Sequence, residues 1–266
     1  MDPDSLEEKI KAVCAAGRHV PKAVIPVDLF GLPADYNRIL PMAEKYGLKV
    51  LEDGAQGFGG SIRGKMACSF GEASTTSFFP AKPLGCYGDG GAIFTDDDAN
   101  MQLLRSLCIH GKGREKYENI RIGRNSRLDT IQASILLPKL HAFFKHELDA
   151  VNHAAALYSE LLAGSVITPV VPEGFRSSWA QYTILCTDRR QREHLQTELK
   201  ANGIPSMIYY PCGLHRQQAF AYCVDLENNR LPATEKACDC VLSLPMHPYL
   251  ADEEIQFVAE TVKKNI

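Results

Sequence analysis

The run Ser77-Phe78-Phe79-Pro80-Ala81-Lys82-Pro83-Leu84-Gly85-Cys86-Tyr87-Gly88-Asp89-Gly90-Gly91 decides the fold. Ala73 to Phe79 and Gly91 to Thr95 read as short strands on either side of it. Upstream, the apolar strand Leu48 to Glu52 runs into Glu52-Asp53-Gly54-Ala55-Gln56, and Lys22 to Phe30 reads as a further buried strand before the turn Gly31-Leu32-Pro33. Between these strands Asp35 to Tyr46 is amphipathic and ends at Gly47, as a helix does. Apolar strand, loop and helix in alternation predict an α/β fold with a mostly parallel sheet flanked by helices.

Outward from that centre, Ser5-Leu6-Glu7-Glu8 has the form of a capping box opening a short helix toward Val13. Asp97 to Cys108 follows the last strand as a helix with acids in its first turn. His110 to Ser126, rich in Gly, Arg and Lys, reads as a long functional loop. Leu128 to Leu161 is helical, and Pro138 is expected to kink or break it. The pattern changes after Gly164, with a strand at Trp179 to Cys186, a helix at Arg190 to Ala201, a strand at Met207 to Tyr210 and a last helix at Asp252 to Lys264. A boundary near residue 142 divides a large domain, 1–142, from a smaller C-terminal α/β domain, 143–266.

A chain of 266 residues lies near the upper limit for one hydrophobic core, which agrees with two unequal domains. Its net charge of −3 gives no general field for nucleic acid or anionic membranes. No apolar run approaches the roughly 20 residues of a spanning helix, and the acidic start Met1-Asp2-Pro3-Asp4-Ser5 is not a secretory signal. The nine cysteines include no C-x-x-C pair, so reduced thiols in a cytoplasmic protein, without a metal site, are expected.

A lysine just past a strand end, with an aspartate at the end of an earlier strand, points to pyridoxal phosphate. That cofactor needs an amine for its aldehyde, a carboxylate against its ring nitrogen, packing for the ring and donors for the phosphate. Asp53 stands at the carboxyl end of a parallel strand, where open α/β sheets place ligands. Gly54 and Ala55 are small enough to let a ring approach, Gln56 could bond the ring oxygen and Ser77 the phosphate. Taken singly, each has a plainer reading: Asp53 a turn residue, Lys82 a solvated loop residue, Gly88-Asp89-Gly90-Gly91 a tight turn. The glycines precede a strand and do not open a helix, so they match a dinucleotide fingerprint poorly. A nucleotide-sugar oxidoreductase would rest on the βα pattern and that Gly-rich turn alone.

Together and in order, these segments resemble the DegT/StrS-type sugar aminotransferases, of the aspartate aminotransferase fold (fold type I). The resemblance runs from Pro26-Val27-Asp28-Leu29-Phe30-Gly31 to the last helix and looks closest to the branch that aminates 3-keto sugar nucleotides, including UDP-linked acetamido-keto-uronic acids. It implies Lys82 as the catalytic Schiff-base lysine, Asp53 as the partner of the pyridine nitrogen, Gln56 beside the ring and Ser77 at the phosphate. It further implies that Asn125 reaches a neighbouring subunit's phosphate, hence a homodimer, and that His110 and Arg127 are on the substrate side. Tyr209-Tyr210-Pro211 stands where the family has His-Tyr-Pro, so Tyr209 replaces a histidine and leaves its substrate contact open. His215 follows at the family spacing, in either a structural or a catalytic role.

By the same resemblance the reaction is amino transfer, with glutamate as donor and a nucleotide-linked keto-sugar as acceptor, for cell-surface polysaccharide biosynthesis. The family's phosphate-binding Gly-Thr turn belongs to a stretch preceding the position matched by Met1, and residues 1–22 offer no substitute. Weak cofactor binding by this chain is the expectation. The alternative is a truncated, catalytically inactive member that acts as a binding or oligomerisation partner.

Overall fold

The computed structural model describes residues 1–223 and 230–266, which form two compact units, Met1–His146 with Val171–Ala180 and Glu147–Val170 with Gln181–Ile266.

The first unit opens with helix α1, Pro3–Ala16. Its cap is Asp2, not Ser5: the Asp2 carboxylate accepts from Asp4 N at 3.0 Å, and Pro3 takes the first helical position, where its missing N–H costs nothing. The strand expected over Lys22 to Phe30 shrinks to β1, Ala23–Val24, followed by a bridge from Val27 to Asp53 and a 3₁₀ turn at Leu29–Gly31. Pro26 explains the shortening, since it has no N–H to give to a ladder. Helix α2, Tyr36–Lys45, then leads to β2, Lys49–Asp53.

A hairpin of β3, Ser61–Ile62, and β4, Lys65–Met66, intervenes before β5, Ala73–Ser77, and β6, Gly91–Phe94. The main sheet runs β1-β2-β5-β6, parallel across the first two pairs and antiparallel in the last. Leu51 pairs with Ala73 and Asp53 with Thr75, so β2 and β5 end on the same edge. Behind the sheet lie Val24, Tyr36, Ile39, Ala43, Val50 and Phe70, with the Tyr36 and Phe70 rings stacked at 4.3 Å.

Helix α3, Asp98–Cys108, is capped by Asp97 and has no buried residue. Helix α4, Thr130–Ala142, contains Pro138 without breaking. One lost backbone bond is tolerated there, and the irregularity falls at a π turn, Phe143–Glu147, where Phe143 and Phe144 pack on Phe58 at 6.0 and 6.1 Å. Strand β7, Phe175–Arg176, comes from the late segment and pairs with β3.

The second unit contains α5, Leu148–Leu161, β8, Tyr182–Leu185, α6, Arg189–Ala201, α7, Pro232–Cys240, β9, Val241–Leu244, and α8, Asp252–Lys264. The strand expected from Trp179 begins only at Tyr182, because the chain before it belongs to the first unit. Met207 to Tyr210 makes only a bridge between Met207 and Ser243. Strand β9 holds β8 antiparallel, and neither β9 nor α7 was expected from the sequence. Tyr158 stacks on Tyr182 at 4.9 Å within a core that includes Ile184, Leu195, Leu242 and Ile255. Among the described residues no helix is long and apolar enough to cross a membrane.

Candidate active site

The carboxyl ends of β2 and β5 carry the first group of candidates. Asp53 closes β2; its N–H donates to Pro26 O and its O accepts from Asp28 N, at 2.9 and 3.0 Å. Gly54 N donates to Thr75 O at 2.8 Å, and Thr76 Oγ1 donates to Gly54 O at 2.9 Å, which locks the turn after Asp53 to the neighbouring strand. The Asp53 side chain is half-buried; Oδ1 accepts from Ala55 N at 3.1 Å, and Oδ2 has no hydrogen-bond partner among the described residues. A β-carbon on Gly54 would overlap Cys68 Sγ, so only glycine lets the turn sit this close.

Ser77 ends β5 opposite Gly91, and its Oγ accepts from Phe79 N at 3.2 Å, leaving the hydroxyl proton free to donate. The chain then turns tightly: Lys82 N donates to Phe79 O at 2.9 Å, Cys86 N to Phe78 O at 2.8 Å and Phe78 N to Gly90 O at 2.8 Å. Lys82 is half-buried and its Nζ makes no hydrogen bond or ion pair among the described residues. Its backbone is fixed while its amine stays uncommitted.

Gln56 is buried and its Oε1 accepts from Phe30 N at 2.6 Å, so this end of the amide holds the left-handed Phe30 turn. Ser178 Oγ donates to Gln56 O at 3.0 Å and, more weakly, to Gly31 O. The stretch around Ser178 therefore buttresses the site loop from more than a hundred residues away, a support that no local sequence signal reveals.

His110, Asn125 and Arg127 are brought together in the long loop and all are exposed. His110 N donates to Arg124 O at 2.9 Å, Ile109 bridges Asn125, and Arg127 donates from Nε and Nη2 to Asn125 Oδ1 at 3.1 and 2.8 Å. Arg127 also lines a cleft of about 750 Å³ with Thr75, Thr76, Gly91, Met101 and Leu104. Tyr209, Tyr210 and His215 belong to the second unit. The two tyrosine rings lie 5.5 Å apart, and His215 Nε2 is 3.5 Å from Glu235 Oε1, which also pairs with Arg216.

Beneath the Asp53 turn lies a cluster that the sequence reading passed over. Asp28 and Glu52 are both fully buried. Asp28 Oδ1 accepts from Ala34 N and Tyr36 Oη, each at 2.9 Å; Glu52 accepts from Cys68 N at 2.6 Å and Phe70 N at 2.8 Å. Burial, reinforced by the Glu52 charge, pushes the Asp28 carboxyl up to about 8, and burial raises Glu52 as well. Burial also pushes the Cys68 thiol up to about 12, so that sulfur stays protonated. An alternating acid pattern, Glu52 inward and Asp53 outward along one strand, was the available signal.

The sequence pattern of the DegT/DnrJ/EryC1/StrS aminotransferase family matches residues 1–263. The chain belongs to this family. It is similar to a UDP-2-acetamido-2-deoxy-3-oxo-D-glucuronate aminotransferase of Pseudomonas aeruginosa, 46% identical over 238 residues, which are 89% of this chain and 64% of the relative. A UDP-N-acetyl-3-dehydro-alpha-D-glucosamine 3-aminotransferase of Acidithiobacillus ferrooxidans is 40% identical over 249 residues, again 64% of the relative's length and 92% of this chain. Among solved structures, a DegT DnrJ EryC1 StrS aminotransferase from Brucella abortus superposes with a TM-score of 0.94 at 48% identity, covering 99% of this chain and 69% of that one. The chain thus spans about two thirds of these DegT-family relatives and has their fold type I architecture.

Proposed function

We propose that this chain carries the catalytic lysine and ring-binding carboxylate of a pyridoxal-phosphate-dependent aminotransferase acting on a nucleotide-linked 3-keto sugar. One observation carries the reading: Lys82 presents an uncommitted, half-buried amine just beyond the strand edge on which Asp53 presents an uncommitted carboxylate oxygen. The donor set fits the cofactor. Asp53 Oδ2 is available to a protonated ring nitrogen, Lys82 Nζ to the aldehyde carbon and the Ser77 hydroxyl to the phosphate. When bound, pyridoxal phosphate supplies an electron sink for the electrons left by removing a proton next to nitrogen.

The residues divide the remaining work. Asp53 would hold the proton on the ring nitrogen. Lys82 would hold the cofactor through its amine and would hold and move the proton at the reacting substrate carbon. The Ala55 N–H fixes the Asp53 carboxylate by one oxygen, so that its orientation is set before anything binds. Gln56, through the backbone it braces, keeps the ring side of the pocket in shape.

Support for the substrate class comes from the two relatives, whose names specify UDP-linked 3-oxo or 3-dehydro sugars. Glutamate as donor and a cytoplasmic location follow from the family reading. Arg127 and His110, exposed in the long loop, are the proposed substrate-side groups of the first unit, and Tyr209, Tyr210 and His215 those of the second. Asn125, with its amide nitrogen directed by the Arg127 fork on its oxygen, is proposed to serve a partner subunit's phosphate in a homodimer.

Borohydride reduction of the chain with pyridoxal phosphate, followed by peptide mapping, tests the reading. Label on the peptide containing Lys82 is expected. Label elsewhere, or none at saturating cofactor, would remove the aminotransferase assignment.

A further inference from the structure

Asp28 and Glu52 are two carboxyl groups without solvent exposure, near enough that each acts electrostatically on the other. Two adjacent buried negative charges would repel strongly in a low-dielectric interior, so one proton must be shared. The donor inventory decides which group keeps it. Both Glu52 oxygens already accept backbone N–H bonds, from Cys68 and Phe70, which favours the ionised form. Asp28 has both of its donors, Ala34 N and Tyr36 Oη, on Oδ1, and its Oδ2 is buried without any donor among the described residues. An oxygen in that position is satisfied if it carries a proton and gives it to the neighbouring carboxylate.

The pair is built into the candidate site. Asp28 N donates to Asp53 O, Glu52 is the residue before Asp53, and the turn after Asp53 rests on the Asp28 carboxyl so closely that a β-carbon on Gly57 would overlap it. We propose that Asp28 is a positioning residue that works as a neutral acid, donating its carboxyl proton to Glu52 and so holding the Asp53 turn in place over a pair with a single negative charge. This deepens the reading above and rests on Asp53 being the ring-nitrogen carboxylate.

The groups facing Asp28 are Glu52 from β2, Tyr36 from α2 and Cys68 from the segment after β4; the cation Lys65 acts on the pair through Glu52. Burial raises the Tyr36 hydroxyl as well, so Tyr36 and Cys68 stay neutral through the physiological range. Between about pH 4 and about pH 8 the folded chain then keeps a proton that the unfolded chain has released. Stability conferred by that proton falls as pH rises through this window and levels off above it.

Asp28→Asn and Asp28→Ala test the proposal in the full chain. An asparagine amide can accept from Ala34 and Tyr36 and donate to Glu52, whereas alanine leaves those partners empty. Infrared difference spectra of wild type against Asp28→Asn, taken without cofactor at pH 7, should show the C=O band of a neutral carboxylic acid that shifts in heavy water. The melting temperature of Asp28→Asn should rise relative to wild type as pH is raised from about 4 to about 8. Pyridoxal phosphate binding should stay within about threefold in Asp28→Asn and weaken about tenfold or more in Asp28→Ala. Should alanine prevent folding, the infrared band and the asparagine pH profile still decide. A missing acid band, or parallel pH–stability curves, would overturn the neutral-acid assignment even if cofactor binds. Wild type that shows the band but takes up no pyridoxal phosphate would overturn the functional reading and the positioning role with it.

Discussion

Lys82 is gripped by its backbone and left alone at its amine, which separates stability from chemistry at this residue. The Lys82→Ala change removes no hydrogen bond or ion pair seen among the described residues. Its melting temperature should therefore lie within about 2 °C of wild type. Amino transfer should fall by at least about 10²-fold, the range lost with a general base, and the borohydride label should vanish. A variant that loses transfer only in proportion to lost folded protein would deny the lysine its role. Asp53→Asn makes the complementary cut. Its amide oxygen can still accept from Ala55 N, so the turn survives, but the charge proposed to face the ring nitrogen is gone. The label on Lys82 should persist while single-turnover transfer slows about 10²-fold or more. Equal rates for Asp53→Asn and wild type would place the ring nitrogen elsewhere.

At the scale of elements, the loop from His110 to Ser126 depends on one backbone position. Gly111 has φ +75°, and a β-carbon there would run into the carbonyl oxygen of Arg121. That close approach lets Ile120 N donate to Gly111 O at 2.9 Å and Arg124 N to Leu107 O at 2.7 Å, framing the segment that carries Asn125 and Arg127. Gly111→Ala should weaken this frame by about 1–3 kcal/mol. Amide exchange at Ile120 and Arg124 should accelerate about 5-fold or more, the factor for 1 kcal/mol, with β5 amides unaffected. Unchanged exchange would show that the loop does not need the glycine. This loop, the strands β2, β5 and β6 and the last helix were legible in the sequence because each has a local signal: an apolar run, a cap, a polar Gly-rich stretch. Strand β1 fell short of its apolar pattern because Pro26 interrupts the ladder. The strands of the β3–β4 hairpin are two residues each, below the length at which periodicity shows. The return of Phe175 to Ala180 to the first unit depends on pairing with β3 and on the Ser178 bonds, which link positions far apart in the chain. The Asp28–Glu52 pair was hidden for a similar reason, since only folding brings the two acids together.

For the molecule as a whole, the four-stranded sheet ends at β1 on one side and β6 on the other, and neither outer edge pairs with a strand among the described residues. Apolar side chains are exposed at both edges, Ile25, Val27 and Leu29 near β1 and Ile93 and Phe94 in β6. An open edge with apolar residues is a template for pairing with another chain. Two routes of self-association are then physically distinct: edge pairing at the sheet, and the proposed homodimer through the Asn125 loop. Ile93 is 42% exposed, so Ile93→Lys removes apolar edge surface at a cost to stability of only about 0.5 kcal/mol. Sedimentation over a tenfold or so range of concentration distinguishes the routes, since edge pairing should weaken in Ile93→Lys while a loop-mediated dimer should not change. If the variant associates as strongly as wild type and Asn125→Ala abolishes the complex, the sheet edges are closed to partners in solution and the shared-phosphate dimer gains its support. If Ile93→Lys alone turns the chain monomeric, the edge is the interface and the role proposed for Asn125 fails.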